Sequence, residues 1–126
     1  MKRFIKYLGL VIVLGLGLNG CYKDVINPGA DPDGPAQAVS FKEELAPLLQ
    51  TKCALSGCHI AGSYKPHLED LNKSYVNIVG GGFVNTLVPK ESILYKQVNG
   101  SMSEFLPSKE DKQKIYDWIR NGAPKN

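Results

Sequence analysis

Apolar residues recur at helical spacing in two well-marked stretches of the chain, each preceded by a capping residue. Phe41, Leu45, Leu48 and Leu49 fall at i, i+4, i+7 and i+8, which is one face of a helix. Ser40-Phe41-Lys42-Glu43 matches a capping box, in which the serine and the acid satisfy orphan amides of the first turn. Pro47 interrupts this pattern because it has no amide proton to donate, so a kink there, or a helix beginning near it, is expected. In the second stretch Ser108 caps, Glu110 and Asp111 lie in the first turn, and Ile115, Trp118 and Ile119 share one face. Arg120 falls in its last turn and Gly122 is a natural stop. Lys109, Lys112 and Lys114 read as its solvated face. Between the two, Ser74 to Val79 and Glu91 to Val98 predict shorter helices, with a turn or loop around Gly80, Gly81 and Gly82. No segment alternates as a strand does and none repeats. The predicted class is all-α.

The amino terminus follows a different pattern. Lys2, Arg3 and Lys6 precede an apolar run from Tyr7 to Leu18, about 12 residues against the roughly 20 that a membrane-spanning helix needs. That is the pattern of a signal peptide. Its end, Leu18-Asn19-Gly20-Cys21, resembles a bacterial lipobox, in which the cysteine thiol is diacylated and the chain is cut before it. The resemblance implies a mature chain beginning at a lipidated Cys21, held firmly because each buried methylene adds about 0.8 kcal/mol. A soluble precursor cut nearby is the plainer alternative. Tyr22 stands where the commonest inner-membrane retention signal has an aspartate, which points to the outer membrane, facing the periplasm. From Tyr22 to Val39 the chain carries Pro28, Pro32, Pro35, Gly29 and Gly34, a composition that suits a tether rather than a helix. The expected organisation is a signal peptide over 1–20, a lipidated cysteine and flexible linker over 21–38, and a folded domain over 39–126.

Composition narrows the function. Hydrophobic residues make up 43% and charged residues 21% of the 126, so neither wholesale disorder nor a multi-span membrane protein fits. The net charge of +3 comes from 15 basic and 12 acidic residues, and Lys2, Arg3 and Lys6 account for the excess. The remainder is balanced, so a nucleic-acid partner has no electrostatic footprint. A domain of about 88 residues buries a modest fraction of its surface and often relies on a staple or prosthetic group.

Directly after the first predicted helix comes Cys53-Ala54-Leu55-Ser56-Gly57-Cys58-His59. A Cys…Cys-His cluster in an exported chain suggests covalent haem attachment. Two thiols can bond the porphyrin edge while the adjacent imidazole reaches the iron, so His59 is the candidate proximal ligand. Apart from Met1, Met102 is the only methionine. It sits in a polar, non-helical stretch, and is the candidate distal ligand. His67, in Tyr64-Lys65-Pro66-His67, competes for that position, or serves as a loop histidine near a haem propionate. The sixth position can also be open.

These residues resemble the small class I cytochrome c domains of bacterial lipoproteins, close to the planctomycete-type group. The resemblance runs from Phe41 to Ala123. It rests on the Pro47 helix before the cysteines, on Cys58-His59, on the Met102 loop, and on the ending Trp118-Ile119-Arg120-Asn121-Gly122-Ala123. It implies three to five helices around one covalent haem c, with the first and last helices crossing. Two departures stand out. Four residues, not two, separate the cysteines, and Ser103 follows Met102 where the family often has proline. The function implied is one-electron transfer between donor and acceptor redox proteins of the cell envelope, without catalysis, since a coordinated methionine closes the iron. Two non-haem alternatives remain: a zinc site of Cys53, Cys58, His59 and His67, and a Cys53–Cys58 disulfide in a structural lipoprotein.

Overall fold

The computed structural model describes residues 33–126, so the signal peptide, Cys21 and most of the predicted linker lie outside the described residues. The expected all-α class is what the described residues show: helices and no strand. The first helical segment opens as a wide π-turn, Phe41–Leu45, and continues as α1, Ala46–Cys53. Ser40 caps it, its hydroxyl accepting from the Glu43 amide at 3.1 Å. The reciprocal arm of the box comes from Glu44, whose carboxylate accepts from the Ser40 amide at 3.0 Å. A π-turn carries an extra residue per turn, and the Ser40 carbonyl accepts from both Glu44 and Leu45. The acid facing back on the cap is therefore one position later than α-helical spacing predicts. Pro47 sits in the first turn of α1, where a missing amide proton costs least.

The two short helices fall close to their predicted positions. Helix α2, Leu71–Tyr75, is capped by Asp70 and widens into a second π-turn, Val76–Gly80. Gly81 must be glycine, because a Cβ there would lie 2.2 Å from the Asn77 carbonyl oxygen. A single 3₁₀ turn, Pro89–Glu91, leads into α3, Ile93–Asn99. The last helix, α4, runs Lys109–Arg120.

Helix α4 ends in a Schellman motif that accounts for the terminal sequence signature. Gly122 takes the left-handed conformation at φ +87°. Its amide bonds the Ile119 carbonyl at 3.0 Å, and the Ala123 amide bonds the Trp118 carbonyl at 2.9 Å. Ala123 is thereby turned into the core, and the buried Trp118 indole donates to the Pro124 carbonyl at 2.9 Å. Phe41 meets Trp118 and Tyr75 with ring centroids 5.2 Å away in each case. The first helical segment thus packs on the last through aromatic contacts. Asn126 completes the closure, its side-chain carbonyl accepting from the Phe41 amide at 2.8 Å. Leu45, Leu49, Ile78, Leu106, Ile115 and Ile119 fill the space between the helices.

The carboxyl end of the predicted linker lies against this core. Val39 is buried, the Asn121 side chain donates to the Gln37 carbonyl at 2.7 Å, and Arg120 donates to the Gly34 carbonyl at 2.5 Å. Lys90 pairs with Asp33 at 2.8 Å. Residues 33–38 form a strap across α4.

Candidate cofactor site

One side of the helical core opens into a cleft of about 440 Å³, within the roughly 300–1,000 Å³ range of sites that enclose a cofactor-sized ligand. Its apolar walls come from Leu49 on α1, Leu68 and Phe83 on the connecting segments, and Leu94 and Val98 on α3. Cys53, Cys58, His59 and Met102 all line it. Four residues selected from separate places in the sequence therefore share one cavity.

The unusual spacer is absorbed by a tight turn. Cys53 ends α1, and the Ala54 amide still bonds the Gln50 carbonyl. The Cys58 amide then bonds the Leu55 carbonyl at 2.9 Å, closing a four-residue turn with Gly57 third at φ +79°. A positive φ at that place defines a type II turn and favours glycine. The His59 amide returns to the Cys53 carbonyl at 3.2 Å. The two extra residues thus bulge outward as a turn while both cysteines stay on the cleft wall. Neither thiol is in a disulfide. Burial, followed by the neighbouring Cys58, pushes the Cys53 thiol above its ordinary value.

His59 is fixed by a backbone acceptor. Its Nδ1 lies 3.1 Å from the Pro66 carbonyl oxygen. A carbonyl can only accept, so Nδ1 carries the proton and Nε2 keeps its lone pair for a metal. The Leu68 amide bonds the His59 carbonyl at 2.8 Å, so both strands of this loop are tied to each other. In the sequence Pro66 stands out only as the neighbour of His67, because nothing in a sequence marks a backbone carbonyl as a ring orienter.

Met102 lies in the turn after α3. The Gln97 carbonyl accepts from both the Gly100 and Met102 amides, at 3.1 and 2.9 Å. Gly100 adopts φ −115°, ψ −114°, and a Cβ there would approach the Lys96 carbonyl oxygen to 2.9 Å. The chain must therefore turn sharply at this glycine to bring Met102 back onto the cleft. The other candidate ligand goes elsewhere. His67 is half-buried and outside the cleft wall, and its carbonyl accepts from the Asn77 side chain at 2.7 Å. Among the described residues no three histidine, cysteine or acidic side chains gather as a metal site, so the four-ligand zinc set is not assembled.

The donor set and walls suit haem c. The cleft offers thiols, one imidazole with its outer nitrogen committed, one thioether, and otherwise chiefly apolar walls. Leu55, Tyr64, Ile93 and Phe105, four of the eight large apolar side chains left exposed among the described residues, stand on its rim. A flat apolar ligand would cover them. Compared with protein-family models, with curated proteins and with solved structures, the chain has no match.

Proposed function

We propose that the chain is a membrane-tethered monohaem c-type cytochrome that carries single electrons between redox partners of the cell envelope. The observation that carries this reading is the meeting of Cys53, Cys58, His59 and Met102 in one apolar cleft, with His59 Nδ1 already occupied. Haem, when bound, supplies an iron centre that gains and loses one electron. Cys53 and Cys58 would hold it by thioether bonds, His59 would be the proximal ligand and Met102 the distal one. The cleft walls are chiefly apolar, and a thioether ligand favours the reduced state, which suits transfer rather than oxygen chemistry. A diacylated Cys21 would hold the domain at the membrane, most readily the outer membrane facing the periplasm, and raise its effective concentration near partners there.

The test is expression with a working haem-maturation apparatus. The expected product is red, keeps its pigment through denaturing electrophoresis, and shows an iron–sulfur charge-transfer band when oxidised. Met102→Ala should abolish that band and lower the reduction potential. A colourless chain, or pigment lost on denaturation, would end the haem c reading; an unchanged Met102→Ala spectrum would remove Met102 as the ligand.

A further inference from the structure

Leu87 is 92% exposed, more than any other large apolar side chain among the described residues, and Val88 beside it is 51% exposed. The loop that carries them is tightly built. The Asn85 side-chain oxygen accepts from the amides of Leu87 and Val88, at 3.1 and 2.9 Å. The buried Ser92 hydroxyl accepts from the Asn85 amide at 2.8 Å and donates to its carbonyl. The Val88 carbonyl accepts from Glu91 at 2.8 Å. Two apolar side chains are thus held out in water by a clamped loop, away from the cleft.

Where the tether joins the domain indicates what covers them. Lys90, two residues beyond Val88, pairs with Asp33. From Asp33 back to Cys21 is twelve residue steps, no more than about 40 Å fully extended and roughly 20 Å as a coil. A unit of the 94 described residues has a radius of gyration of about 12 Å, hence a diameter near 30 Å. At coil length the tether is shorter than the domain is wide, so a lipid on Cys21 would bring the face beside Lys90 nearer the bilayer than the opposite face. The ions around the loop, Lys90 with Asp33 and Lys96 with Glu91, are paired, leaving the apolar side chains as its main offer to a surface.

We infer that the Leu87–Val88 loop is a membrane wedge that seats in the headgroup–acyl boundary of the bilayer to which the chain is tethered. The inference rests on lipidation of Cys21 in the reading above. Two apolar side chains would not anchor a free domain, but for one already confined by its tether they select one orientation. Helix α3 starts five residues beyond Val88 and contributes Ile93 and Leu94 to the cleft, so a seated loop fixes how the cleft faces the membrane.

The test uses the mature lipidated holoprotein in vesicles of phosphatidylethanolamine and phosphatidylglycerol. At position 86, p-acetylphenylalanine in place of the exposed Thr86 takes a ketone-specific nitroxide without involving any thiol. Collisions with lipid-dissolved oxygen and with an aqueous nickel chelate then report depth. The expected label depth is about 5–10 Å into the boundary, and Leu87→Asp in the same protein should return the label to water. The same label at the exposed Val76 should remain aqueous. An aqueous label at 86, a label that Leu87→Asp does not move, or equal depth at both sites overturns the wedge. A label shielded from both reagents assigns the loop to a protein partner or a second copy, and also overturns it. The intact mass reads the acyl chains on Cys21 separately: their absence removes the premise and the wedge together, whereas their presence with an aqueous label defeats the wedge alone.

Discussion

Gly57 is the residue on which the long spacer depends. The turn Leu55-Ser56-Gly57-Cys58 requires positive φ at its third place, and Gly57 supplies +79° with no atom within 4 Å of where a Cβ would stand. Any loss on substitution is therefore conformational rather than steric. Gly57→Ala is expected to lower stability by about 1–2 kcal/mol, the cost of a left-handed conformation for a residue with a Cβ. Urea unfolding measures this, and yield of covalent haem reports whether Cys58 and His59 have moved. An alanine variant as stable as the parent would mean that the turn is not held in that conformation. The same residue shows what a sequence can reveal about a site. Cys53, Cys58, His59 and Met102 were legible because their side chains announce their chemistry. The Pro66 carbonyl that orients His59, and the double use of the Gln97 carbonyl beneath Met102, are backbone features that any residue type could supply.

Helix ends were the most legible elements and helix interiors the least. Ser40, Ser108 and Gly122 all act where their capping chemistry predicts, since a hydroxyl acceptor or a left-handed glycine is a local need met by few residue types. The π-turns at Phe41–Leu45 and Val76–Gly80 were not legible, because the extra residue in each turn is selected by packing. One consequence is the transfer of the reciprocal cap from Glu43 to Glu44. The Ser40 amide, helped by Lys114 at 3.2 Å, holds the Glu44 carboxyl below its ordinary value of 4.5. A depressed folded value contributes stability that is complete above pH 4.5 and lost as pH falls through the lower folded value. Glu44→Gln should therefore cost about 0.5 kcal/mol at neutral pH, modest because the group is half-exposed. It should cost less near pH 3, as measured by urea midpoints at both pH values. An equal loss at both pH values would mean that packing, not charge, is what Glu44 contributes.

At the scale of the whole molecule, the first and last residues of the described chain converge on α4, which joins the cleft-bearing core to the strap. Asp117 is almost fully buried on α4, accepting from Gln113 at 3.0 Å and from Arg120 at 3.3 Å. Arg120 also donates to the Gly34 carbonyl and lies over the Tyr116 ring at 5.2 Å. One guanidinium thus serves a buried carboxylate, an aromatic face and the strap backbone, a use of its planar donor fork that a lysine could not copy. The sequence showed Arg120 only as a helix-end cation, and prolines with glycines only as a tether. Neither pattern encodes a contact between residues 34 and 120. Arg120→Ala is expected to cost about 1–3 kcal/mol, because it leaves the Asp117 carboxylate buried without its cation. Asp33→Asn removes an exposed pair and should leave the urea midpoint within error. Limited proteolysis by subtilisin separates the two contributions: in Arg120→Ala, residues 33–38 should become cleavable as the strap loses its bond at the Gly34 carbonyl. In Asp33→Asn the strap should stay resistant, held by the Arg120 and Asn121 bonds. If Arg120→Ala proved as harmless as Asp33→Asn, the strap would not be fastened through Arg120, and the tether would leave the domain from Gln37, which Asn121 holds. That would move its exit away from Leu87 and remove the geometric ground for a membrane-facing loop.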